Sequence, residues 1–170
     1  MKMKLLFFRS IYLVLITGLI LSSCKKDEEA DPIVGTWTTG TSTFSAMVGS
    51  RTLTEYFIEV MGSTTEEAEA TAAFFEALMT QAFTGSITVK SDNTYTSTLG
   101  GQADSGTWSL NADKTELTID SSSDDPMIYD VVELTSSKLR LHVSASTLYD
   151  LNGDETDETI DVEIDITFTK

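Results

Sequence analysis

The strongest constraint on this chain lies near its end, where Ile160, Val162, Ile164, Ile166 and Phe168 alternate with Asp161, Glu163, Asp165, Thr167 and Thr169. A strand turns successive side chains to opposite faces, so a strict period of two builds one apolar face and one acidic, hydrated face. A helix would scatter both sets around its circumference. The segment therefore predicts a half-buried strand in a sheet with one wet side.

Shorter segments behave alike. A first strand is expected at about 36–46, another at Ile87 and Val89, and Ser91-Asp92-Asn93 then turns the chain into a strand over 95–99. Gly100-Gly101 and Ser105-Gly106 read as bracketing a second turn before Trp108 and Leu110, and 111–114 as reversing the chain into Leu117 and Ile119. Strands near 128–134 and 139–143 follow. Short strands separated by polar turns predict an antiparallel meander, and closing it into a barrel removes its exposed edges. One interval breaks the rhythm. Residues 51–83 have helical spacing, with Leu53, Phe57, Val60 and Met61 on one face and Gly62 as a stop. Ser63-Thr64-Thr65-Glu66 then resembles a capping box opening a second helix, whose apolar stripe is Ala68, Ala72, Phe75, Leu78, Met79 and Ala82. The expected fold is mainly β: an antiparallel meander closed or nearly closed into a barrel, with a helical pair inserted between strands 1 and 2 and resting on the barrel's open end.

The N-terminus predicts export. Lys2, Lys4 and Arg9 precede an apolar run over 11–21, and the small residues Ser22 and Ser23 lead into Cys24. Eleven apolar residues fall short of the ~20 that cross a bilayer core, which favours a cleaved signal over a permanent span. The string Leu21-Ser22-Ser23-Cys24 resembles the bacterial lipobox, and that resemblance implies cleavage before Cys24 and lipid attachment to it. A single cysteine cannot form an internal disulfide in an exported chain, but one is what an anchor requires. The expected organisation is a signal peptide at 1–23, an acidic tether at 24–32 and one domain at 33–170. The tether, with Lys25-Lys26 followed by Asp27-Glu28-Glu29, reads as a solvated linker and also resembles the signal that sends some lipoproteins to the outside of the outer membrane.

Charge narrows the partners. Removing 1–23 takes three of eleven bases and no acids, leaving eight bases against twenty-seven acids, a formal charge of −19. Phosphate binding needs clustered Lys and Arg, so nucleic acid is not an expected partner, and an anionic membrane face would repel the domain. The expected membrane contact is the lipid alone. A protein partner is not specified by any motif.

Ile33-Val34-Gly35-Thr36-Trp37 resembles the Gly-x-Trp opening of lipocalin-like proteins, in which the tryptophan packs across the base of the barrel. Ser91-Asp92-Asn93-Thr94-Tyr95 and Ser105-Gly106-Thr107-Trp108-Ser109-Leu110 resemble the hairpins of bacterial lipocalin-like lipoproteins, and the likeness spans about 33–170. The helical pair is more like the lid of fatty-acid-binding proteins. The resemblance implies a non-enzymatic barrel that holds a small apolar ligand, with Phe57, Phe74, Phe75, Leu78, Met79 and Phe83 as candidates for the lid's inner surface. Aromatic and Met residues at helical spacing also read as plain core, and a filled barrel acting through its outer surface is the alternative.

Catalysis finds little support, because His142 is the only histidine and no Gly-x-Ser-x-Gly occurs. Arg140 and His142 share a strand face and would meet a ligand carboxylate if that face lined the cavity; a solvated face is the other reading. No cofactor is called for, with one exception. Asp150, Asn152 and Asp154 occupy the first, third and fifth positions of a calcium-type loop, Thr156 the seventh and Asp161 the twelfth. Glu155 stands where such loops turn on glycine, so a calcium site and a solvated acidic hairpin loop both fit.

Overall fold

A computed structural model describes residues 31–170. The signal-peptide expectation, the lipobox with Cys24 and most of the tether lie outside the described residues. Within them the elements run β1 (Gly35–Val48), β2 (Arg51–Thr52), α1 (Leu53–Glu59), α2 (Thr65–Ala82), β3 (Ser86–Val89), β4 (Thr94–Leu99), β5 (Gln102–Leu110), β6 (Glu116–Ser121), β7 (Met127–Leu134), β8 (Lys138–Tyr149) and β9 (Glu158–Thr169).

Every neighbouring pair is antiparallel, in the order β2-β1-β3-β4-β5-β6-β7-β8-β9, and β9 pairs back onto β1 from Thr38↔Thr169 to Val48↔Ile160. Eight strands thus form a closed barrel, with β2 as a two-residue hairpin partner at the top of β1. The β9 alternation acts as expected: Ile164, Ile166 and Phe168 are buried and Asp161, Glu163 and Asp165 face water. A bulge at Gly40 lets β1 follow this partner. The extra residue moves the inward set from Trp37 and Thr39 to Ser42, Phe44, Ala46 and Val48, each opposite an inward residue of β9.

The strands differ in length, and this decides where the helices go. β1, β8 and β9 have 14, 12 and 12 residues, whereas β3, β4 and β6 have 4, 6 and 6. The long strands rise above the rest as a partial wall whose inner face would otherwise meet water. The helical pair covers part of it: Tyr56, Phe57 and Ala68 are buried against Val48, with Leu53, Ile58, Ala72, Leu151 and Ile160 packed around them. Both helices open on capping boxes, Thr52 with Glu55 and Thr64 with Glu67. The second box sits one residue later than its expected place, because Thr64 rather than Ser63 reaches the free N–H at its third helical position. α1 also ends earlier than its spacing suggests, and Val60 and Met61 are exposed beyond it.

Two further expectations are corrected. Ser105-Gly106 is not a turn but the middle of β5, with Gly106 opposite Tyr95 on one side and Ser121 on the other. A Cβ there would lie 2.0 Å from the Asp120 carbonyl oxygen, so glycine is required by close strand approach rather than by chain reversal. β8 extends to Tyr149, well past its expected end at Val143.

The lower end is sealed by the two tryptophans. Trp37 is fully buried and its indole N–H donates to the Ile33 carbonyl at 2.7 Å; Trp108 donates to the Lys90 carbonyl at 2.9 Å. Lys170 closes the same end, its ammonium 4.2 Å from the Trp37 ring centroid and donating to the carbonyls of Pro32 and Val34 at 2.6 and 2.8 Å. Trp37→Ala removes a large core ring together with the partner of Lys170 and should cost about 3–5 kcal/mol. Trp37→Phe keeps most of the packing and should cost much less. Chemical denaturation midpoints of the two variants check this ranking.

Candidate functional site

Inside the barrel lies a partly open cavity of about 110 Å³, lined by β3 to β6, by Tyr129 of β7 and by the lower halves of β8 and β9. Its walls are mainly apolar, including Ile87, Leu99, Leu117, Leu139 and Ile166, and Phe83 closes it from the end of α2. The polar groups gather on β4 and β5. Ser97 and Asp104 form a cross-strand pair, and Tyr95 reaches over the bare Gly106 so that its hydroxyl donates to the Asp104 carboxylate. Ser121 reaches the other carboxylate oxygen from β6 at 2.9 Å. The missing side chain at Gly106 is what leaves room for Tyr95, Asp104 and Ser121 to meet.

This cluster has a defined protonation state. The Tyr95 hydroxyl, with smaller help from Ser121, holds Asp104 below the usual carboxylate range. Burial, reinforced by the hydrogen bond to Asp104, pushes the Tyr95 phenol above its ordinary value. Tyr95 is therefore a neutral donor and Asp104 an ionised acceptor. Among the described residues no Lys, Arg or His forms an ion pair with Asp104. Its remaining acceptor capacity is open to a hydrogen-bond donor placed in the cavity. Tyr129, which lines the cavity from β7 and lies near enough to Tyr95 to add to its shift, is pushed up to about 12 by burial.

The six lid candidates separate into three groups. Phe83 lines the cavity and Met79 packs on the main core. Phe57 belongs to the cluster under α1, with the Phe75 ring stacked 6.4 Å from it. Phe74, Phe75 and Leu78 are 60%, 40% and 45% exposed. The helical stripe thus points at the tall wall of β1 rather than down the barrel axis, and only its last turn reaches the cavity. Arg140 and His142 lie on the outer face, since they alternate with the buried Leu139 and Leu141; His142 Nδ1 is 3.4 Å from the Asp165 carboxylate across the pair with β9.

The acidic loop satisfies itself. Asp150 accepts from the backbone N–H groups of Gly153, Asp154 and Glu155, Asn152 from that of Asp154, and Asp154 from that of Thr156. Asp161 points elsewhere, accepting from Ser146 on the outer wall. Asp150, Asn152, Asp154, Thr156 and Asp161 are therefore not brought around one point, and no cluster of acidic, His or Cys groups with metal-binding geometry occurs among the described residues. Glu158 has a structural role that the spacing gave no sign of. It accepts from the Tyr56 hydroxyl, the Leu151 N–H and the Asn152 amide, fastening α1 to the loop between β8 and β9. Burial, then the Glu158 hydrogen bond, raises Tyr56 to about 12.

No family model and no curated protein matches the chain. Among solved structures it is similar to a DUF4847 family protein from Bacteroides vulgatus ATCC 8482, at 14% identity over 79% of this chain and 91% of that one, with a TM-score of 0.37. The barrel assignment rests on the strand pairing itself.

The tyrosines and Asp104 set opposite pH limits. A folded state that binds the phenolic proton more tightly keeps that stability below an ordinary tyrosine's ~10 and loses it as pH rises further. Tyr56 and Tyr129 complete that loss near 12, and Tyr95 acts in the same direction. Asp104, held low, contributes above about pH 4 and loses its contribution as pH falls through its lowered folded value. Tyrosinate absorbance should show these three rings ionising later than free tyrosine, and Asp104→Asn should flatten the acid limb of the stability profile.

Proposed function

We propose that this chain is a lipid-anchored envelope lipoprotein whose lipocalin-like barrel binds a small, mainly apolar ligand and catalyses no reaction. The carrying observation is the cavity: apolar walls with a single polar patch, Tyr95, Asp104 and Ser97, on one side. Its volume of about 110 Å³ selects the ligand's size. A ~150 Å³ apolar cavity takes benzene, whereas drug-sized ligands occupy ~300–1,000 Å³. The cavity is smaller than the one that takes benzene, so the proposed ligand is a short branched chain with a hydrogen-bond donor for Asp104, not a full-length fatty acid. The anchor reading rests on the lipobox resemblance at Cys24. The outer membrane is the proposed location.

Full-length chain extracted in mild detergent should show thermal stabilisation by short branched alcohols and amines. A ligand at a hundred times its dissociation constant stabilises by about 2.7 kcal/mol. Ser97→Leu, which fills the cavity beside Asp104, should abolish the shift while leaving the fold intact. Absence of any shift across such compounds, together with no small molecule in solvent extracts, sinks the binding reading. Independently, labelled palmitate should enter the wild-type chain in a Gram-negative host and be lost in Cys24→Ala.

A further inference from the structure

The barrel wall is split. β7 and β8 pair from Leu134↔Leu139 up to Asp130↔His142 and no further, although β8 continues to Tyr149 and β7 begins back at Met127. Above that point β8 is bonded only to β9. Among the described residues no other backbone or side-chain group bonds the main chain of 144–149. Alternate N–H and C=O groups therefore face open space along about 20 Å of strand, at ~3.3 Å per residue. All six residues are exposed, with Leu148 at 65% and Tyr149 at 62%, and across the gap Met127 and Ile128 are exposed at the free edge of β7.

This edge lacks the usual protection. Strand edges are blunted by charged residues, prolines, bulges or shortening. Here the sequence is Val143-Ser144-Ala145-Ser146-Thr147-Leu148-Tyr149, without a charge, a proline or a glycine, in a chain where 22% of residues are charged. The charges around it are of one sign: Asp124 and Asp125 before β7, Asp150 and Asp154 beyond Tyr149, and Asp161 and Glu163 on the adjoining face of β9. The basic residues of β8 lie on its lower half, Arg140 opposite Glu133 of β7 and Lys138 ion-paired with the same Glu133.

We propose that the upper edge of β8 is a docking strand for an extended segment of a partner protein, apolar or uncharged along its centre and flanked by Lys or Arg, which adds to the sheet in the gap beside β7. Only another polypeptide backbone can match alternating donors and acceptors along a strand, which specifies the partner's conformation. The acidic surround specifies its charge and disfavours a second copy of this chain, whose net charge is −16.

The test uses the full-length chain and three short synthetic peptides: alternating valine and threonine with two lysines at each end, the same centre with glutamates at the ends, and the lysine peptide with alternate backbone amides N-methylated. The lysine peptide should slow hydrogen exchange at alternate amides within 144–149 and bind at least about tenfold tighter than either control, with affinity falling as salt rises. Leu148→Lys, at a site too exposed to disturb folding, should weaken that peptide about tenfold and leave the melting midpoint unchanged. Equal binding of the methylated peptide would remove the strand-addition mode, and equal binding of the glutamate peptide would remove the charge preference. Protection of 144–149 that grows with protein concentration alone would make the occupant a second copy. No protection by any peptide at millimolar concentration would overturn the proposal.

Discussion

The antiparallel pairing of β1 with β9 is the constraint on which the other features depend. It joins the first and last strands of the meander over ten residue pairs and turns a sheet with two edges into a barrel. Because both strands are long, closure also raises a wall that the short strands β3, β4 and β6 cannot match. The insertion of two helices between β1 and β3 follows from this mismatch. Val48 and Ile160 at the top of the wall need apolar cover, and Tyr56, Phe57 and Ala68 supply it. The cover is partial: it reaches the β1 and β9 side and leaves upper β8 bare.

Inside the barrel the same economy of side chains creates the cavity. Gly106 contributes nothing to the interior, and its neighbours Tyr95 and Ser121 fill only part of the space by converging on Asp104. Asp104 is half-buried, and its ionised form is held by hydroxyl donors from Tyr95 and Ser121 without a cation. The described residues contain no buried side-chain polar atom lacking a partner. Polar satisfaction and residual volume therefore come from one arrangement, built on three adjacent strands.

Much of the architecture was legible in the residues. The β9 alternation, the turn residues at 91–93 and 111–114, and the helical spacing of 51–83 each reflect a local periodicity or backbone preference that survives into the fold. Where local signals had two meanings the reading failed. Gly106 looked like a turn residue because glycine serves both chain reversal and close strand approach. The upper half of β8 was missed because Ser144 to Tyr149 alternate no hydrophobicity: neither face is buried, so nothing selected a pattern. The acidic loop has calcium-like spacing, yet spacing along a chain does not say which carboxylates its own backbone will occupy. Among the lid candidates, the sequence identified the apolar stripe but not the surface beneath it.

What the sequence by itself determined is the existence of most of the strands, the helical insertion, the turns at 91–93 and 111–114 and the strongly negative charge, since these arise from neighbours within a few residues. Only the tertiary structure decided that the meander closes, that Tyr95, Asp104 and Ser121 share a cavity wall, that Arg140 and His142 stand outside it, and that β7 and β8 part above His142. Each of these depends on register between strands distant in sequence. Shifting a register by one residue exchanges the two faces of a strand. Composition and periodicity describe each strand's two faces, and pairing across the barrel fixes which face looks inward and where the wall ends.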